Sequence, residues 1–497
     1  MREQFDFIII GSGAGGSAAA LGLVRAGKRV LMLEKGGHLA RDGSTLDVKQ
    51  VFKEGRFKNK EPWADGRGRT FVPGEYYNVG GKTKWYGAAL LRFSPHEFQA
   101  DQAHQCLGWP FGYDELEPYY NQAEQLLHVN RFENGLGLQA LINRIVNGDA
   151  SWRTESLPLG LKKEILEDDS EAKHFDGFAS VCGYKSDAEW NFLDLIKNAP
   201  NFRLHANQAV AGFTHADGAP ARINGVRCVD GSAFYADTVV LAAGAMTSPR
   251  LLQDHLRQSG LDRTLPSAAT VGANFKFHIN SALLAFSPFA IRDVLRKTAI
   301  FYNDAYPHST VQCLGWMDGE ILATQIPAAV PKFVSKAIGA RAYGFFVTTE
   351  DGSSPDNRII SRGTGDLSVM DYAFDRIRPS FKEHRAVVRA FERRLLRAGL
   401  FGVDKYIGFA GTAHALGTLV TGNDPASSVV DANGKVHGME NLYVADGSVL
   451  PRSSRVNPAL TIYAWGLRLA DKLTGQQGRE PARVERKEKA FAEAVSC

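Results

Sequence analysis

The sequence predicts an α/β fold, α+β over the whole chain, and three observations carry that prediction. Residues 6–10 (Asp-Phe-Ile-Ile-Ile) are a short apolar run that leads into a glycine-rich turn and a helix-forming stretch. The same order of strand, small-residue turn and helix returns at 237–249. From about 280 to 405 the pattern changes to alternating apolar and polar stretches, the signature of half-buried strands. A parallel-sheet domain assembled from distant segments, joined to a second domain on an antiparallel sheet, accounts for all three.

Taken in order, the run 6–10 suits a strand buried on both faces. Gly11-Ser12-Gly13-Ala14-Gly15-Gly16 follows, then Ala, Leu and Val continue as a helix to about Ala26, with Gly27 at its stop. Residues 29–33 form the next strand, which ends on Glu34-Lys35. This is the spacing of a Rossmann-like unit. Gly11 permits the tight turn, Gly13 lets the backbone approach a pyrophosphate, and Gly16 lets helix pack on strand. The helix that opens at Ala14 offers free N–H groups and a partial positive charge to a diphosphate. Glu34 is placed to accept from ribose hydroxyls and would repel a 2′-phosphate, so NADP is disfavoured. The motif alone leaves FAD and NAD both open.

Residues 38–200 are polar and aromatic, with Trp109-Pro110 and the stretch 113–120 reading as a turn that enters a helix. Residues 237–241 are a strand, 242–245 a small-residue turn, and a helix begins near Ser248-Pro249. Stretches 310–316, 341–350 and 368–371 suggest antiparallel strands, and 380–399 an amphipathic helix. The block 410–461 is dense in Gly, His, Asp and Pro, and a charged tail follows Gly475. No internal repeat is present. The expected division is a dinucleotide-binding domain in three parts (1–100, 201–280 and 405–475), a lid or substrate-domain segment at 101–200, a substrate domain at 281–404 and the tail at 476–497.

Composition narrows the function. The chain has 497 residues, and its net charge of +4 rests on 58 basic and 54 acidic residues, with no basic stretch of the kind that binds nucleic acid. The five cysteines are scattered, odd in number and form no CxxC, so neither a zinc site nor a disulfide framework is expected, and no metal is assigned. No apolar run approaches the roughly 18 residues of a membrane span. Five residues precede the first strand, which leaves no room for a signal peptide. A cytoplasmic protein is expected, with export beside a signal-bearing partner as the alternative.

The C-terminal block carries a family resemblance. It runs His414-Ala415-Leu416-Gly417-Thr418, Asp424-Pro425-Ala426-Ser427-Ser428-Val429-Val430-Asp431, then Val436-His437-Gly438-Met439-Glu440-Asn441-Leu442-Tyr443-Val444-Ala445-Asp446-Gly447-Ser448, and closes on Val456-Asn457-Pro458-Ala459-Leu460-Thr461. With the N-terminal unit, Val79-Gly80-Gly81-Lys82-Thr83-Lys84-Trp85-Tyr86-Gly87, Trp109-Pro110, the stretch 239–252 and Val271-Gly272-Ala273-Asn274-Phe275, it resembles the glucose–methanol–choline (GMC) oxidoreductases.

The resemblance implies FAD, bound extended with its ring facing a cavity. Gly80, Gly81, Thr83, Val210 and Ala243 would join the N-terminal glycines as cofactor contacts. Asp446 and Gly447 would lie near the ribityl–diphosphate. Residues 457–461, including Pro458, Ala459 and Leu460, would start a helix beneath the pyrimidine side of the ring, where the positive helix end favours an anionic reduced flavin. The family's catalytic pair maps onto His414 and Asn457. A neutral imidazole suits removal of a hydroxyl proton, and the amide suits holding the substrate oxygen. The structural alternatives are a loop histidine at 414 and a helix N-cap at 457 with Pro458 at the first helical position. His278 and His437 read as structural.

Two departures bear on the site. Members that attach FAD covalently do so through a His at the position held here by Trp85, with Tyr86 where many carry Asn, so non-covalent FAD is expected. Leu419-Val420-Thr421-Gly422 replaces the usual Cys-Arg-Met-Gly. Residues 83–98 look most like the bacterial branch of pyranose oxidases and glucoside 3-dehydrogenases. That implies oxidation of a C–OH group of a sugar, glycoside or related alcohol. The alternatives are an FAD-containing lyase of the same fold and the flavoprotein subunit of an electron-transfer dehydrogenase. Oxygen, a quinone and a redox partner are all open as the electron acceptor.

Overall fold

A computed structural model describes residues 4–475 except 318, 325–331, 364 and 409–411. The charged tail expected at 476–497 lies outside the described residues. Two sheets dominate. The first has seven strands, in the order Phe202–His205, Val30–Leu33, Gln4–Ile10, Ala233–Leu241, Ile223–Cys228 and Val210–His215, with Leu442–Val444 also on Ala233–Leu241. The long strand Ala233–Leu241 changes partners along its length. Its first half pairs antiparallel with Ile223–Cys228, and its last three residues pair parallel with Leu442–Val444. Gln4–Ile10 is parallel to both neighbours, and Ile8, Ile9, Val239 and Val240 are wholly buried, as a sheet covered on both faces requires.

Among the described residues the first helix, Ala14–Arg25, packs against the last, Ala459–Thr474. Glycine permits the approach. A Cβ on Gly15 would stand 1.6 Å from the Ala445 carbonyl oxygen, and one on Gly466 would stand 2.4 Å from that of Gly15. Helix Ser248–Ser259 begins where Ser248-Pro249 predicts.

The second sheet is antiparallel, in the order Phe401–Ile407, Ile279–Phe286, Ala342–Thr349, Ser309–Cys313, Ala299–Asn303 and Trp152–Ser156. Its core holds Phe301, Phe345, Val311 and Val347, covered by helix Arg378–Arg397 through Phe391 and Leu395. The expected strand near 368–371 forms as Val369–Asp371 but belongs elsewhere. It pairs antiparallel with Arg358–Ile360 and parallel with Trp63–Asp65, in a separate four-stranded sheet. Cys106, Cys228 and Cys313 are free and buried. Among the described residues no helix is long and apolar enough to cross a membrane.

Candidate active site

One continuous cavity of about 910 Å³ runs from the N-terminal glycine turn to the antiparallel sheet. At the turn, Gly11 has φ +104°, a conformation that side chains with Cβ rarely adopt, and a Cβ there would meet the Ala242 carbonyl oxygen at 2.3 Å. Gly13 is the opposite case. A Cβ there would meet nothing within 4 Å, so the backbone itself forms the cavity wall. Ala14, Lys35, Gly81, Val210 and Ala243 also line the cavity.

Glu34 lines it too, but most of its hydrogen-bonding capacity is taken by protein. Oε2 accepts from the Ser12 N–H (3.0 Å) and hydroxyl (2.6 Å), and Oε1 from the Gly36 N–H (2.9 Å). Burial pushes this carboxyl up, and those bonds oppose the shift. Its first task is to shape the turn, with Oε1 lone-pair capacity left for a ligand.

Three residues expected at the cofactor do not line the cavity. Gly16 lies behind it, where a Cβ would meet the Gly11 carbonyl oxygen at 2.2 Å, so it serves close packing. Gly80 donates its N–H to the Ser12 hydroxyl (3.1 Å) and ties its loop to the turn. Leu460 is wholly buried in the core. Pro458, Ala459 and Ile462 face the cavity from the same helix start, and Leu460 falls on the other side of that turn.

Asp446 and Gly447 line the middle of the cavity. The Asp446 carboxylate accepts from the N–H of Gly244 and Ser448 (2.9 Å each) and from the Ser248 and Ser448 hydroxyls. Burial pushes it up against these four donors. Thr83, Trp85 and Tyr86 line the far wall. The Trp85 indole N–H donates to Asn78 Oδ1 (3.0 Å), and its ring stacks on Tyr76 at 4.9 Å. The Tyr86 hydroxyl donates to the Ser186 carbonyl (2.7 Å). The segment 419–422 runs behind the cavity, with Leu419 and Val420 in the core.

His414 and Asn457 meet at the sheet end. The first closes a 3₁₀ turn, Thr412–His414, and the second precedes the last helix. Asn457 Nδ2 and His414 Nε2 are 3.5 Å apart. The capping role does not hold for Asn457, because Pro458 occupies the cap position and no side-chain cap bond forms. Asn457 Oδ1 instead accepts from Gln312 Nε2 at 2.6 Å. Burial drives the His414 imidazole well below its ordinary range, helped by the neighbouring His278 ring and by the positive charge of Lys82 and Lys297. His437 lies off the cavity, bonded to the Ser428 hydroxyl and the Gly422 carbonyl.

Sequence reading missed the groups brought in by the second sheet and by the loop that follows helix Asp169–Lys173. Asn280, Lys297, Gln312 and Asp176 line the same cavity as His414 and Asn457, with Lys297 donating to Asp176 at 2.8 Å. Gln312 falls within the stretch 310–316 that the sequence reads as a strand, and that strand is buried along its whole length. His278, read as structural, touches His414 directly, with their Nδ1 atoms 2.9 Å apart.

A glycine turn with an open cradle at Gly13, a buried acid at the end of the second strand and a His–Asn pair on the same cavity fit FAD, and they define a flavin-dependent oxidoreductase. Residues 5–280 and 356–466 match the two family models described as GMC oxidoreductase. The chain belongs to the GMC oxidoreductase family. It is 29% identical to paromamine 6'-oxidase of Streptomyces fradiae, over 95% of this chain and 91% of that protein. Identity is also 29% to 6'''-hydroxyparomomycin C oxidase of Streptomyces lividus, over 93% and 90%. The fold matches the crystal structure of pyridoxine 4-oxidase from Mesorbium loti with a TM-score of 0.67, at 18% identity over 94% and 99% of the two chains. The protein is an FAD-dependent oxidoreductase acting on CH–OH donors.

Proposed function

We propose that the protein oxidises a C–OH group of a sugar, glycoside or aminoglycoside-like polyol, with His414 as the base and Asn457 as the holder of the substrate oxygen. The observation that carries this reading is the pairing of His414 Nε2 and Asn457 Nδ2, 3.5 Å apart, on the cavity that also contains the glycine turn. FAD, when bound, supplies the hydride acceptor. His414 Nε2 takes the hydroxyl proton, and a depressed proton affinity keeps the imidazole neutral and ready to do so. Asn457 Nδ2 donates to the substrate oxygen and orients the carbinol hydrogen.

Polar groups at this end support a polyhydroxylated substrate. Asn280, Gln312 and the Lys297–Asp176 pair offer both donors and acceptors to neighbouring hydroxyls. Two of the relatives are named as oxidases of paromamine and a paromomycin, which points the same way. Trp85 presents no nucleophilic atom, so FAD is held without a bond at that position.

Anaerobic addition of a panel of sugars, aminoglycosides and simple alcohols to the purified flavoprotein tests the proposal. Bleaching of the oxidised flavin by a sugar or aminoglycoside is expected. No bleaching by any member of the panel would remove the proposal and favour a non-redox reaction such as lyase chemistry. Reoxidation of the reduced protein by air, compared with a quinone, then identifies the electron acceptor.

A further inference from the structure

Behind His414 the chain buries a second imidazole completely. His278 is wholly inaccessible, and its backbone sits at φ +64°, a left-handed conformation that non-glycine residues hold only when their surroundings impose it. Its Nε2 lies 3.0 Å from the Ser453 carbonyl oxygen and 2.8 Å from that of Ser454. Carbonyls can only accept, so Nε2 carries the hydrogen. Its Nδ1 is 2.9 Å from His414 Nδ1, a separation that needs one hydrogen between two nitrogens.

We infer that His278 is a positioning residue: its Nδ1 accepts from His414 Nδ1–H, which fixes the His414 tautomer and leaves Nε2 bare toward Asn457 and the cavity. The inference rests on His414 being the base. Two neighbours complete the constraint. Gln312 donates to Asn457 Oδ1, which turns Nδ2, a donor, toward His414 Nε2. Nε2 is therefore met by a hydrogen and must itself be an acceptor.

The opposite arrangement would make His278 a cation that donates to His414. It is disfavoured where Lys82 and Lys297 already bring positive charge to His414, each paired with one carboxylate, Glu75 and Asp176. The carbonyls that hold His278 are fixed from behind. Glu350 accepts from the Ser454 N–H (3.1 Å), Asp351 from the Ser453 hydroxyl (2.8 Å) and Glu97 from the Ser454 hydroxyl (2.6 Å). Glu350 is in turn paired with Arg452. When the substrate hydroxyl gives its proton to Nε2, His414 becomes an imidazolium. Its Nδ1–H bond to His278 is kept, and the proton stays on Nε2.

The test uses the FAD-loaded protein with ¹⁵N-labelled histidine, His414 being assigned by its loss in His414→Gln. The expected wild-type signal is a protonated Nδ1 with a bare Nε2. A hydrogen on Nε2 in the neutral wild type would overturn the inference without reference to any variant. In His278→Leu, His414 should gain the Nε2–H form, and flavin reduction at saturating substrate should slow by about 10²-fold, the lower end of general-base help. KM should change far less. His278→Asn keeps an acceptor at the δ position and tolerates the left-handed backbone, so it should restore most of the rate. Equal rates in His278→Leu and wild type would sink the positioning role while leaving His414 as base. An unchanged rate in His414→Ala would instead sink the base assignment.

Discussion

Gln312 Nε2 donates to Asn457 Oδ1 at 2.6 Å, so a strand of the antiparallel sheet fixes the amide at the entry of the last helix. Gln312→Leu would leave Oδ1 unpaired and the amide free to turn. Flavin reduction should slow by roughly fivefold, the equivalent of about 1 kcal/mol for one hydrogen bond. Gln312→Glu should cost more, because a carboxylate accepts from Nδ2 and turns the amide away from His414. FAD affinity should be unchanged in both. Anaerobic stopped-flow absorbance measures the rate, and wild-type rates in both variants would disconnect Gln312 from the pair.

His414→Ala should bind FAD normally and reduce it about 10²–10⁴-fold more slowly. Its pH profile is the sharper test. Burial and nearby positive charge lower the proton affinity of His414, so the neutral base persists as pH falls below 6.5. The reductive rate should stay level through pH 6 to 7 and decline only at lower pH. A decline centred at 6.5 or above would show that His414 is not the group being titrated.

Two neighbouring glycines should respond differently to one added methyl group. Gly15→Ala drives a Cβ against the Ala445 carbonyl oxygen and should destabilise the protein by about 1–3 kcal/mol or more, as overpacking does. Gly13 has φ −70° and ψ −169°, which any residue can adopt, and open space around it. Gly13→Ala should therefore melt like the wild-type apoprotein yet bind FAD about tenfold more weakly, ~1.4 kcal/mol. Thermal melting with and without added FAD separates the two effects. A wild-type FAD affinity in Gly13→Ala would place the diphosphate elsewhere.

The Glu350–Arg452 pair should set acid stability. Burial works to raise the Glu350 carboxyl, but hydrogen bonds and charge from Arg452 and His308 overcome it and hold the group well below its ordinary 4.5. A depressed carboxylate stabilises the fold at pH above its unfolded value and loses that contribution as pH falls toward the folded one. Stability should thus be level in this respect above about pH 5 and erode below about 4.5. Arg452→Met leaves the buried carboxylate without its partner and should cost about 3–5 kcal/mol at neutral pH. Chemical denaturation across pH reads both, and an unchanged Arg452→Met midpoint would refute the assignment.

What could be read from the residues follows how local each cause is. The strand at 6–10, the glycine turn and Glu34 are set by neighbours in sequence, and each lies where periodicity and backbone sterics place it. The antiparallel strands near 310–316 and 341–350 were legible for the same reason. His278 was not, because it lies 136 residues from His414 and acquires meaning only when the sheet delivers it. Lys297 and Asp176 are equally dependent on a long-range approach. The Leu460 side chain lies off the cavity for a smaller reason, helical phase: a motif names a helix start, but only some residues of its first turn face the cavity.

The contact between the first and last helices has a consequence for biosynthesis. The wall formed by Asp446, Gly447, Pro458 and Ala459, and the helix that packs through Gly466 onto Gly15, arrive more than four hundred residues after the glycine turn. A nascent chain therefore carries an exposed half-cradle over that whole interval, and cofactor capture belongs to the moment when the two distant segments meet.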